Sequence, residues 1–236
     1  MIQSVIRTTL KFCYLLPFLF FLGCGETEKK NDKEVTETEQ SSKNSAEEGV
    51  LSSGKSIVFF GNSLTAGMGL EPEQAFPALI QQKLDSLNLE YYVINAGISG
   101  ETTASGESRI GWLMRDKIDV FILELGANDG LRGIPLSETR ENLQSIIDTV
   151  KENNPNVKIV LAGMQIPPNM GPEYTSEFRQ LFPDLADKND AYLIPFLLED
   201  VAGIPQLNQA DGIHPTIEGQ RIVAENVWEI LRPILK

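Results

Sequence analysis

The chain has 236 residues, with 20 Lys and Arg against 33 Asp and Glu, a formal net charge of −13 at pH 7 and one histidine. So acidic a balance excludes docking on nucleic acid or on anionic lipid through charge. Hydrophobic residues make up 42% of the chain, enough for a packed core, and two cysteines are too few for a disulfide-built scaffold.

Arg7 and Lys11 flank the start of an apolar run, Phe12 to Leu22, that is too short to span a bilayer as a finished helix. A basic region followed by about 7–15 apolar residues is the pattern of a secretory signal. The next residues, Leu22-Gly23-Cys24, resemble the end of a bacterial lipoprotein signal, although Phe21 stands where that pattern usually has Leu. The resemblance implies cleavage after residue 23, a lipid on Cys24, and a place in the bacterial cell envelope, either periplasmic or surface-exposed. Cleavage also removes Cys13, so the mature chain can form no internal disulfide. Residues 24–53 are mostly Glu, Lys, Thr, Ser and Asn. They cannot bury enough apolar surface to offset their ordering entropy, and we expect a disordered tether.

Residues 54–236 then form one domain, which keeps most of the negative charge. Short apolar runs predict strands at Ser56–Phe60, Tyr91–Asn95, Val120–Glu124, Lys158–Ala162 and Ala191–Ile194. Helical spacing between them predicts helices at Gln74–Leu87, Thr103–Arg115, Ser137–Asn153 and Thr216–Leu231. The third of these opens on a capping-box pattern at Ser137 after Pro135. Glu173–Lys188 is helical around Phe178, Leu181 and Leu185, with an interruption expected at Pro183. Strand-then-helix alternation implies right-handed crossovers and a parallel sheet covered on both faces. The expected fold class is α/β: a three-layer α/β/α sandwich on a five-stranded, parallel, flavodoxin-like sheet.

Ligands of such sheets bind beyond the carboxyl ends of the strands. There the sequence puts Ser63 after the first strand, a glycine-rich loop from Asn95 to Thr102 after the second, and Asn128 after the third. Asp211 and the only histidine, His214, follow the fifth. Each alone has an ordinary explanation. A serine after a strand is commonly a helix cap, and Asn-Asp-Gly is commonly a turn. Together, a nucleophile, a base and a carboxylate at one sheet edge make a set suited to acyl transfer.

Four blocks sharpen this: Gly61-Asn62-Ser63-Leu64-Thr65-Ala66-Gly67, Asn95 to Thr102, Glu124 to Gly133, and Asp211-Gly212-Ile213-His214-Pro215. With them the chain resembles the SGNH (GDSL-type) hydrolases, most closely the thioesterase I, lysophospholipase and arylesterase branch. The resemblance implies a serine esterase acting on acyl esters or thioesters through an acyl-enzyme. Ser63 would be the nucleophile, His214 the base and Asp211 its partner. The oxyanion hole would comprise the Ser63 and Gly100 backbone N–H groups and the Asn128 side chain. Spacing alone does not choose between Gly100 and Gly97. One departure is Asn62, where the family's first block usually has Asp. Residues Pro167 to Tyr174, with Met170 and Tyr174, would line an acyl channel.

No phosphate loop or dinucleotide fingerprint appears, and one histidine with one mature cysteine cannot build a common zinc site, so no metal or other cofactor is expected. Two other readings stay open: a carbohydrate O-acetylesterase on the same site, and a binding lipoprotein that has lost catalysis. Nothing in the sequence demands more than a monomer.

Overall fold

The computed structural model describes residues 54–235. The expected signal, the lipid site at Cys24 and the tether lie outside the described residues. In chain order the elements are β1 (Lys55–Gly61), α1 (Ser63–Ala66), α2 (Phe76–Ser86), β2 (Tyr91–Gly97), α3 (Thr103–Arg109), β3 (Val120–Glu124) and α4 (Ala127–Arg132). They continue with α5 (Leu136–Asn153), β4 (Lys158–Ala162), α6 (Pro172–Asn189), β5 (Tyr192–Ile194) and α7 (Ile217–Leu231).

The five strands form one parallel sheet in the order β2-β1-β3-β4-β5, the flavodoxin-like arrangement. Side chains alternate along each strand, so the sheet feeds two cores. Val58, Phe60, Phe121, Leu123, Ile159 and Leu161 pack with α5 and α6 on one face. Ile57, Phe59, Val120, Ile122, Val160 and Ile194 pack with α2 and α7 on the other. This is why the strands read as unbroken apolar runs rather than as alternating patterns.

Three expectations are corrected. Helix α6 runs through Pro183 without a break. Proline inside a helix costs about 3 kcal/mol. Phe178, Leu181, Phe182 and Leu185 on the same helix are all buried, at about 1.5–3 kcal/mol each, which outweighs that cost. Helix α5 starts at Leu136, with Pro135 at its N-cap; the Pro135 carbonyl accepts the first helical bonds from Glu138 and Thr139, but a proline side chain has no acceptor, so there is no side-chain capping bond. The stretch expected as one helix from Thr103 tightens after Arg109 into a 3-10 segment, Ile110–Arg115.

Among the described residues no helix is long and apolar enough to cross a membrane.

Candidate active site

The sheet register levels three loops. Gly61, the last residue of β1, pairs with Gly97 of β2 on one side and Glu124 of β3 on the other. The loops leaving these positions therefore start from one row, at the point where strand order reverses.

Asn62 turns the chain out of β1. Its side-chain Oδ1 accepts from the Leu64 backbone N–H at 2.9 Å and caps α1, whose first residue is Ser63. The same side chain donates from Nδ2 to Glu124 Oε1 at 2.8 Å. The other Glu124 oxygen accepts from the Asn62 N–H, the Thr65 N–H and the Thr65 hydroxyl, at 3.1, 3.2 and 2.8 Å. Glu124 is fully buried. Burial pushes its pKa up to about 7, against the pull of these hydrogen bonds.

His214 arrives from the far side of the sheet. The segment after β5 folds back through an Asn208–Pro215 bridge, and the Gln209 N–H donates to the His214 carbonyl at 2.7 Å. Gln209 Nε2 donates to the Met68 carbonyl at 2.8 Å, and the Met68 N–H donates to the Ser63 carbonyl at 3.0 Å. Gln209 thus straps the histidine loop to the serine loop.

The result is a continuous chain of hydrogen bonds. His214 Nε2 lies 2.8 Å from Ser63 Oγ, and His214 Nδ1 lies 2.6 Å from Asp211 Oδ2. Asp211 Oδ1 accepts from the Ile213 and His214 N–H groups at 2.9 and 3.0 Å. Those backbone hydrogen bonds, the His214 one first, lower the Asp211 pKa to about 2. An ionised Asp211 fixes the proton on Nδ1, which leaves Nε2 free to accept from the serine hydroxyl.

The expected oxyanion donors surround the same spot. Ser63, Gly100, Asn128 and His214 share a cavity of about 190 Å³. The two candidate glycines sit differently. A Cβ on Gly97 would lie 2.4 Å from the Ala66 backbone nitrogen, so that position holds β2 against α1. Gly100 borders the cavity at φ +80°, a conformation that favours glycine, with open space where a Cβ would be. The Asn128 amide donates one N–H to the Glu101 carbonyl at 2.9 Å, which orients it and leaves its second N–H for a ligand.

Side chains with no role assigned from sequence hold this loop. Asp129 accepts from the Thr103 N–H and hydroxyl, the latter at 2.6 Å. Glu101 pairs with Arg109, whose guanidinium also donates to the Ala96 carbonyl at 2.8 Å and lies 3.9 Å from the centre of the Phe60 ring. The one signal for them was chemical: carboxylates beside buried strands need partners.

A second cavity of about 530 Å³ shares Leu64, Ala127, Leu131 and Ile213 with the first, and Ile166, Pro167 and Phe196 extend it. Met170 and Tyr174 do not line it. They pack against the core that α5 and α6 cover, and the Tyr174 hydroxyl donates to the Ile134 carbonyl at 2.7 Å. Among the described residues no group of three or more His, Cys, Asp or Glu is placed to hold a metal ion.

Residues 59–222 match the model of the GDSL-like Lipase/Acylhydrolase family. The chain is 38% identical to Esterase TesA of Pseudomonas aeruginosa over 182 residues, 77% of this chain and 90% of that protein. It is 36% identical to Thioesterase 1/protease 1/lysophospholipase L1 of Escherichia coli over 180 residues, 76% of this chain and 84% of that protein. A crystal structure of the psychrotrophic esterase EstA from Pseudoalteromonas sp., inhibited by monoethylphosphonate, superposes with a TM-score of 0.72 at 32% identity, covering 76% of this chain and 97% of that one.

Proposed function

This chain belongs to the GDSL-like lipase/acylhydrolase family, the SGNH hydrolases, and we propose that it works as a serine esterase through Ser63, His214 and Asp211. It is an ester and thioester hydrolase of the kind that its esterase and thioesterase relatives represent. The observation that carries the assignment of roles is the unbroken Ser63–His214–Asp211 chain at 2.8 and 2.6 Å.

The steps follow from that chain. Ser63 Oγ attacks the acyl carbon as its proton passes to His214 Nε2. The charge that develops on the acyl oxygen is met by the Ser63 and Gly100 N–H groups and by the free N–H of the Asn128 amide. Asp211 stabilises the imidazolium that forms. The tetrahedral adduct collapses, the bond to the leaving group breaks, and His214 returns its proton to the departing oxygen or sulfur. Water then attacks the acyl-enzyme with His214 as base, releasing the acid and restoring Ser63.

The neighbouring apolar cavity supports acyl chains longer than acetyl, which speaks against a glycan O-acetylesterase. Asn62 gives the non-catalytic reading no support, because it caps α1 and braces Glu124. We further propose that the protein is held in the bacterial envelope by a lipid on Cys24, a reading supported by the apolar run and small residue before it.

A fluorophosphonate probe tests the roles. It should phosphonylate Ser63 Oγ in the wild type, forming the O–P bond as fluoride leaves and the serine proton is lost, so that the mass gained is that of the probe less HF, with no label in S63A or after heat denaturation. Labelling elsewhere, or none in the folded protein, would remove Ser63 as nucleophile.

A further inference from the structure

We propose that Arg109 is a positioning residue for the oxyanion hole, acting through Glu101 on the Gly100 N–H and on the Asn128 amide. The proposal deepens the reading of Ser63 as nucleophile and rests on it.

Gly100 needs such support. Ile98, Ser99 and Gly100 are all exposed, and nothing packs where a Gly100 Cβ would be. Few bonds hold the stretch itself. The Ile98 N–H donates to the Gly61 carbonyl at 2.9 Å and the Glu101 N–H to the Ile98 carbonyl at 3.3 Å. Arg132, also exposed, donates to the Gly100 carbonyl at 3.2 Å. Yet an oxyanion donor stabilises the developing charge fully only if it is aimed in advance.

Arg109 supplies the fixed points on either side. Its Nη2 donates to the Ala96 carbonyl, near the end of β2, at 2.8 Å and also to Glu101 Oε2. Its Nε donates to Glu101 Oε1 at 2.5 Å. The stretch from Gly97 to Gly100 is thus bracketed by one guanidinium. The Arg109 and Glu101 side chains are only 12% and 4% exposed, so water hardly competes for these bonds. The Glu101 carbonyl in turn accepts from the Asn128 amide at 2.9 Å. The residue that Arg109 clamps therefore follows one oxyanion donor in the chain and orients another. The guanidinium also lies 3.9 Å from the centre of the Phe60 ring, in the strand that delivers Ser63. Neither Arg109 nor Glu101 lines the two cavities, so both act through other groups.

The arrangement needs a planar fork. Two N–H groups meet one carboxylate, a third meets a carbonyl, and the face rests on a ring. Lysine would keep the charge, but a compact ammonium cannot make all four contacts.

The test is a cycle of R109K, N128A and R109K/N128A, read by kcat and KM on p-nitrophenyl butyrate and by melting temperature. R109K should lower kcat by about 10- to 100-fold, with KM within about threefold of wild type. N128A should lower kcat by about 10²- to 10³-fold. The double variant should fall short of the product of the two losses by about threefold or more, because part of the Arg109 effect passes through the Asn128 amide. If R109K gives no cooperative melt, E101Q and E101Q/N128A are read in the same way; Glu101→Gln leaves one oxygen facing two guanidinium donors. Wild-type kcat in the folded variant, a loss confined to KM or to melting temperature, or losses that multiply overturn the proposal. Fluorophosphonate labelling of the wild type separates these results from a failure of the esterase reading, which would show as an unlabelled Ser63.

Discussion

Two carboxylates near Ser63 depart from ordinary behaviour in opposite directions, for opposite reasons. Asp211 is held low by backbone donors and stays charged in all but strong acid. Glu124 is held high by burial despite four donors. Its pKa rises from 4.5 to about 7 on folding, so the folded state keeps a proton that the unfolded chain has lost. Its contribution to stability is complete below about pH 4.5 and is lost as pH rises through about 7. At about 1.4 kcal/mol per unit, the change is about 3 kcal/mol. Urea denaturation at pH 5 and pH 8 should therefore show a smaller difference in E124Q than in the wild type, by about that amount; an unchanged difference would contradict the account. That Ser63, Asp211, His214 and Asn128 would gather at one sheet edge was legible in the sequence, because the acyl-transfer chemistry proposed for them calls for those residue types in those loops. The contacts of Glu124 were not, since nothing in a sequence says what a carboxylate at a strand end faces.

At the scale of elements, the row Gly97–Gly61–Glu124 sets where the three loops that carry Gly100, Ser63 and Asn128 begin. The two glycines after β2 then have separable duties. Gly97→Ala would drive a methyl into the Ala66 backbone and should destabilise the fold by roughly 1–3 kcal/mol or more, as overpacking does. Gly100→Ala has room for its methyl but a strained backbone. It should keep a melting temperature within a few degrees of wild type and lower kcat by about 10- to 100-fold, short of the full loss of an oxyanion donor. The reverse pattern, with G97A benign and G100A unfolded, would refute the division. The long helices were readable from their periodicity, and all five strands from short unbroken apolar runs. α1 and α4 were not, because four and six residues carry too little period to register. Nor was the return of residues 195–216, which is shaped by the side chains of Asn208 and Gln209 rather than by any repeat.

Across the whole molecule, the strand order puts β1 and β3 side by side at the reversal point, so Ser63 and Asn128, in the loops that follow them, come together there. The histidine comes from beyond β5, the edge strand, in the segment that leads into α7, and must return from that edge to reach them. Alternation of strands and helices predicted this class of sheet; it could not predict the cavities, which form where loops from different strands meet. The acidic balance leaves attachment to an anionic membrane to the lipid proposed on Cys24. Expressed in a bacterium that processes lipoproteins, Cys24→Ser should move the protein from the membrane fraction to the soluble one; retention in the membrane would contradict the anchor.

If hydrolysis depends on Ser63 and the adjoining cavity takes the acyl chain, rates on p-nitrophenyl esters from acetate to palmitate, with S63A alongside, will show both. Turnover should extend past acetate to medium chains and fall by about 10⁴-fold or more in S63A. Activity confined to acetate, or equal in the two proteins, would contradict the account.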